Sequence, residues 1–291
     1  RISLGGFPAS TYGTLLNAYG IVRSNKYISG NIVGNSLQTY KSETPNNVLT
    51  NAGYLANNIN LKKIDTNTTN LSGPRSIAFH PSGMFLYCVS QNTNMLNVYI
   101  IDANSGGLTY SSQIATGSNP TYAECDPSGR FIYVVNASGG TISGYTINQS
   151  TGDLTSMGAA FTSSLGMFNI VCDPTGNFLY APNSTSNHVR AFQINQSSGN
   201  LNLINTYNTN SSAQFAKCDP TGRFLYVGVY NATGPISNVE TFTIDKTTGA
   251  LASVGNIATQ AKAYGIECES TGRFVYVTNI DNAIITIYNI N

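Results

Sequence analysis

Asp126-Pro127-Ser128-Gly129-Arg130-Phe131-Ile132-Tyr133 returns as Asp173-Pro174-Thr175-Gly176-Asn177-Phe178-Leu179-Tyr180 and again as Asp219-Pro220-Thr221-Gly222-Arg223-Phe224-Leu225-Tyr226. Weaker copies begin at His80 and Glu269. The period is about 46 residues, which places the chain among repeat architectures before any other motif is weighed. Asp, Pro, Ser or Thr, and Gly are the residues that a type I turn favours at its successive positions, so each copy marks a tight reversal between two strands. A short apolar stretch precedes the turn, as in Phe168-Asn169-Ile170-Val171-Cys172, and an aromatic, β-branched one follows it, as in Phe131-Ile132-Tyr133-Val134-Val135. A third, alternating stretch such as Ile142 to Ile147 ends in a second recurrent turn. There Asn or Asp precedes Gly by four and Leu by six: Asp102, Gly106 and Leu108; Asn148, Gly152 and Leu154; Asn195, Gly199 and Leu201; Asp245, Gly249 and Leu251.

Each Leu opens a fourth strand, and four antiparallel strands per repeat make a propeller blade. The expected fold is therefore all-β, a β-propeller forming one domain over residues 1–291. The repeats fall at about 19–57, 74–115, 120–162, 167–208, 213–258 and 263–291, with an insertion at 58–71. That arithmetic gives six blades; a seventh, degenerate blade inside the insertion is the alternative. The last repeat stops before its fourth strand, and Ile2-Ser3-Leu4-Gly5-Gly6 resembles Ala252-Ser253-Val254-Gly255-Asn256, so residues 1–7 are expected to supply the missing strand and close the ring. Deleting Arg1 to Phe7 should accordingly lower the melting temperature in a calorimetric scan; a truncated protein that melts with its parent contradicts this strand assignment.

Tyr276-Val277-Thr278-Asn279, together with the Asp-Pro-Ser/Thr-Gly-Arg-Phe-Leu/Ile-Tyr runs, resembles the YVTN-repeat β-propellers, a family similar to lactonase-like propellers of the phosphogluconolactonase type. The resemblance covers roughly Tyr19 to Asn291. It implies a propeller that often has seven blades and is often exported or displayed on prokaryotic cell surfaces. The motif residues are turn and strand chemistry, so they specify fold more than activity.

Composition narrows the functions. Charged residues are 9% of the 291, against a usual value of about 25%, and the net charge is +1. No basic field exists for nucleic acid or an anionic membrane, and no apolar run reaches the length of a membrane span. The surface is amide-rich, with 36 Asn. Five cysteines lack CxxC spacing and a neighbouring histidine. Cys125, Cys172, Cys218 and Cys268 share one repeat position and read as small core residues, so no metal and no cofactor is expected.

In a propeller the loops carrying 58–71 and 228–238 fall on one face, which is where a protein or carbohydrate partner, or a further copy in self-assembly, is expected to bind. Near the top of the axis the residues that can hold a ligand are Arg75, Tyr122, Phe168, His188, Gln214, Lys262 and Tyr264. His188 follows a polar loop, Asn183 to Asn187, and reads as a solvated loop histidine that can otherwise act as a base. Glu124, Lys217 and Glu267 share one repeat position, and Lys217 and Glu267 can pair. The leading expectation is a non-catalytic propeller outside the cytoplasm that binds a partner or builds an extracellular assembly. The alternative is a lactonase-like hydrolase using Arg75, His188 and Glu124 or Glu267, since lactone hydrolysis needs a positive group for the substrate and a base for water.

Overall fold

The computed structural model describes residues 21–23, 28–33, 36–41, 66–162, 165–230, 237–259, 263–279 and 283–290. The chain forms two compact units, Arg1–Lys63 and Ile64–Asn291. In the first, β1 (Ile21–Arg23), β2 (Ile28–Val33) and β3 (Ser36–Lys41) make an antiparallel three-stranded sheet. The expected closing strand at 1–7, Lys262, the Tyr264 side chain, and residues 58–65 and 231–236 of the two long connections lie outside the described residues.

The second unit is a series of antiparallel sheets. The first contains β4 (Pro74–Phe79), β5 (Phe85–Ser90), β6 (Met95–Ile101) and β7 (Leu108–Ala115). The next contains β8 (Pro120–Cys125), β9 (Phe131–Asn136), β10 (Thr141–Ile147), β11 (Leu154–Ser156) and β12 (Phe161–Thr162), the last two both pairing with β10. Two four-stranded sheets follow: β13 (Val171–Cys172), β14 (Phe178–Asn183), β15 (His188–Ile194) and β16 (Leu201–Asn208), then β17 (Ser212–Cys218), β18 (Phe224–Tyr230), β19 (Ser237–Ile244) and β20 (Leu251–Thr259). The chain ends with β21 (Ala263–Cys268), β22 (Phe274–Asn279) and β23 (Ile284–Asn289). Six sheets thus fall within the described residues. The fold is a β-propeller. Among the described residues no helix is long and apolar enough to cross a membrane.

The recurrent turns explain how these sheets form. Asp173 is buried; its Oδ1 accepts the backbone N–H groups of Asn177 (2.9 Å) and Phe178 (2.8 Å), while Oδ2 accepts Thr175 N–H (3.0 Å) and the Thr175 hydroxyl. One carboxylate thereby accepts the donors of a turn that is exposed at Pro174 and Thr175 and buried at Phe178, whose N–H would otherwise lack a partner. Asp126 and Asp219 repeat the pattern, accepting Phe131 N–H and Phe224 N–H at 2.8 Å each. His80 stands in for the carboxylate in the first copy: its Nδ1 accepts Ser82 N–H (3.2 Å), leaving Nε2 to donate to the Gly129 carbonyl (3.0 Å) of the next sheet.

Sheets are joined by a repeating bolt. The second strand of each, fully buried in β5, β9 and β14 because neighbours cover both faces, carries a tyrosine whose hydroxyl donates to a glycine carbonyl in the next sheet: Tyr87 to Gly152 (3.2 Å), Tyr133 to Gly199 (2.7 Å) and Tyr180 to Gly249 (3.1 Å). Those glycines adopt positive φ (75°, 75° and 70°), and a Cβ on Gly249 would overlap the Phe178 ring of the preceding sheet. The Leu that follows each glycine by two can then enter its outer strand while the turn backbone lies flat on an aromatic. The first strands also stack in order, β4 on β8, β8 on β13, β13 on β17 and β17 on β21. One repeat position is thereby presented by several sheets to a common interior.

Candidate functional site

Strands β4, β8 and β17 and the segment before β13 open onto a cavity of about 660 Å³. Arg75, Tyr122 and Phe168, all three expected from their repeat positions, line it together with Phe215. Three aromatic rings and one guanidinium suit a flat, partly polar ring better than a metal or a charged polymer. Among the described residues no group of three or more His, Cys, Asp or Glu side chains can hold a metal ion.

Arg75 is exposed at the rim, and its Nε donates to Gln91 Oε1 (2.6 Å). Gln91 in turn donates through Nε2 to Asn119 Oδ1, and the Asn119 backbone N–H donates to Asn94 Oδ1 (2.8 Å). This chain holds the guanidinium by one edge, and among the described residues its terminal amino groups make no hydrogen bond. A positive group oriented in this way is ready to receive an oxygen.

Two or three residues further along these inner strands, one repeat position collects charge. Its occupants are Ala78, Glu124, Val171, Lys217 and Glu267 on β4, β8, β13, β17 and β21. Lys217 Nζ and Glu267 Oε1 are 2.8 Å apart. Glu124 is only partly reached by solvent, yet protein surrounds it closely. Burial pushes its carboxyl up to about 7; the charge of Lys217, a hydrogen bond from Cys172 N–H and another from Tyr122 pull against that rise, and the charge of Glu267 adds to it. Burial alone would lower Lys217, but the hydrogen bond and charge of Glu267 and the charge of Glu124 outweigh it, so the ammonium is held above its ordinary value. Tyr122 also bonds with Asn169, and its hydroxyl is raised by burial and by the Glu124 charge. Asn169 is itself fixed by accepting Ala216 N–H through Oδ1 (2.9 Å). Tyr122 therefore links the cavity to a carboxyl that titrates near neutrality.

The remaining candidates lie elsewhere. His188 is buried, not a solvated loop residue as its sequence context suggested: it begins β15, opposite Asn183 and Asn208, with Nδ1 against the Ser186 carbonyl (3.1 Å) and, among the described residues, no partner for Nε2. The reason is local, because Asn183 Oδ1 accepts Thr185 N–H (3.1 Å) and Ser186 N–H (2.8 Å) and turns the chain back tightly. Burial and the Arg190 charge lower the His188 pKa, and the ring is not among those lining the cavity. Gln214 sits at a bulge of β17 and donates to Ser212 Oγ (2.7 Å) rather than into the cavity. All five cysteines are free; burial pushes the thiols of Cys172 and Cys218 well up, away from thiolate chemistry. Gln91, Asn119 and Asn169 were not legible as site residues, since nothing distinguishes them among so many amides.

The sequence profile of the family described as "Lactonase, 7-bladed beta-propeller" matches residues 29–125 and 157–264. No curated protein sequence matches the chain. Similar solved structures include a functionally unknown protein from Desulfotomaculum acetoxidans, 17% identical over 93% of this chain and 78% of that one, with a TM-score of 0.66. A protein from Lactobacillus plantarum is 16% identical over 94% of this chain and 79% of that one, with a TM-score of 0.65. The periplasmic gluconolactonase of Pseudomonas aeruginosa is 16% identical over 91% and 88%, with a TM-score of 0.52. At such identities these likenesses speak for the fold.

Proposed function

Because the chain belongs to the family of seven-bladed β-propeller lactonases, we propose that it hydrolyses a lactone in the cavity bounded by Arg75, Tyr122, Phe168 and Phe215. The observation that carries this is the cavity itself, where the Arg75 guanidinium, held by Gln91, meets three aromatic rings, one of them Tyr122, which stands two residues before Glu124 on β8; burial pushes the Glu124 carboxyl up to about 7. A base with that proton affinity matches the demands of water activation at neutral pH. The lactone ring stacks among the aromatics with its carbonyl toward Arg75. Water attacks the carbonyl carbon and passes a proton to the Tyr122 oxygen as Tyr122 passes its own to Glu124, so the tyrosine stays neutral throughout. Arg75 receives the negative charge that develops on the carbonyl oxygen. Collapse of the tetrahedral intermediate breaks the ring C–O bond, and the departing alkoxide recovers the proton from Glu124 through the same hydroxyl. The product is the open hydroxy acid.

The binding-protein alternative keeps one supporting observation: a single charged side chain and three aromatics line the cavity, which also describes a carbohydrate-binding site. The charge-poor surface supports a placement outside the cytoplasm under either reading. Hydrolysis of a panel of sugar and aliphatic lactones, followed by acid release, separates the two. The lactonase reading expects rates above spontaneous ring opening and a fall in kcat of about 10²–10³ on Arg75→Ala, the range for losing one oxyanion donor. Ligand binding with no hydrolysis across the panel favours the binding protein.

A further inference from the structure

A guanidinium carries only donors, so Gln91 must turn its side-chain oxygen to Arg75. Its amide nitrogen is then left facing Asn119, which presents an oxygen in turn. Both amides are also pinned through their backbones. Gln91 N–H donates to the Gly73 carbonyl (3.0 Å) and Asn92 N–H to the Ser72 carbonyl (3.2 Å), which stitches the two residues ahead of β4 to the segment after β5. Asn119 has a left-handed backbone, φ 57°, and its carbonyl accepts Ala137 N–H (2.9 Å) just beyond β9. Arg75 is thus held at Nε by a network anchored in two sheets, while its two terminal nitrogens make no hydrogen bond among the described residues.

Two parallel N–H donors at that free edge match the two oxygens of one carboxylate. Arg75 is the only charged side chain among the described residues lining the cavity, so the site compensates one negative charge rather than two. Tyr122, Phe168 and Phe215 border the same space and suit a flat ring carried by the acid. Opening a lactone turns the carbonyl that faces Arg75 into such a carboxylate. We propose that Arg75, with Gln91 and Asn119 as its positioning residues, retains the carboxylate of a ring-bearing hydroxy acid, so that the opened product competes with fresh lactone for the cavity. The lactone offers the guanidinium one neutral oxygen, whereas the acid offers a full charge and a second oxygen, so the same side chain holds product more tightly than substrate. Calling the acid a product rests on the lactonase reading; its binding does not.

The test titrates 3-(2-hydroxyphenyl)propanoate, the acid to which dihydrocoumarin opens, into the full chain by calorimetry, beside its neutral primary amide. The acid should bind about tenfold or more tightly than the amide, the range for hydrogen bonds to a charged group, and Arg75→Ala should abolish that preference. Gln91→Met keeps the side-chain length but removes the acceptor; it should weaken acid binding by about three- to tenfold, the cost of ordering one free side chain, and leave the amide unchanged. Made on top of Arg75→Ala, the same change should have no effect, because Gln91 acts only through the arginine. Gln91→Glu keeps an acceptor for Nε but sets a second carboxylate against the guanidinium, so it should also weaken the acid, where a merely structural role would leave it at the parent value. An acid that does not bind, a preference that survives Arg75→Ala, or a Gln91→Met loss that persists without Arg75 overturns the proposal. If Gln91→Met does not fold, Arg75→Ala and Gln91→Glu decide. The two readings fail separately: acid held through Arg75 in a protein that opens no lactone removes the lactonase function and leaves the acid site, while dihydrocoumarin hydrolysis that the acid does not inhibit removes the acid site and leaves the function.

Discussion

Glu124→Gln should lower kcat/KM for lactone hydrolysis by about 10²–10⁴, the usual contribution of a positioned general base. Gln keeps the side-chain shape and can still accept the Cys172 N–H, but it cannot take a proton from Tyr122. The same change should make the folded protein more stable in alkaline solution. The Glu124 carboxyl titrates at about 7 in the fold against 4.5 ordinarily, so the folded protein holds this proton more tightly than the unfolded chain does. The contribution to stability is therefore greatest below pH 4.5 and is lost as pH rises from there to about 7, amounting to roughly 3 kcal/mol. Gln does not titrate, so the melting temperature of the variant should change less between pH 5 and pH 8 than that of the parent. A variant that loses activity and also loses stability at pH 8 would mean that Glu124 is a structural member of an ion-pair network instead of a base.

The second large effect concerns the fold. Asp173→Ala should destabilise the protein by about 2–3 kcal/mol in urea unfolding, because it leaves the buried Phe178 N–H without its acceptor and removes the acceptor of the partly exposed Thr175 and Asn177 donors, at a residue that is itself buried. Asp173→Asn retains an oxygen at the Oδ1 site and should cost less than half as much. If Asp173→Ala falls within 1 kcal/mol of the parent, the turn does not depend on its carboxylate and the explanation given for the repeat's periodicity fails.

That periodicity was legible because its chemistry is local. An Asp that ties its own turn and a Gly that must adopt positive φ leave the same residues at the same offsets in every copy. What lies between the copies was legible only in part. The tyrosines of the second strand were readable as strand formers, but their partners are glycine carbonyls 65 to 69 residues away, and no composition rule pairs them. Arg75, Tyr122 and Phe168 could be placed at one end of the fold because they begin inner strands, and the pairing of Lys217 with Glu267 followed from a shared repeat position. The rise of Glu124 could not be read off, since it depends on burial and on charges from two other strands. His188 shows the opposite limit: a loop of Asn and Ser looks solvated in sequence, while its own hydrogen bonds fold it tightly enough to bury the following ring.

The most direct measurement is the pH dependence of kcat/KM for the lactone most readily opened in the panel, corrected for spontaneous hydrolysis. The account predicts a rate that rises tenfold per pH unit up to about 7 and then levels, with that limb absent from the residual rate of Glu124→Gln. A parent rate that is already level at pH 5, or one no faster than spontaneous opening at every pH, would contradict it.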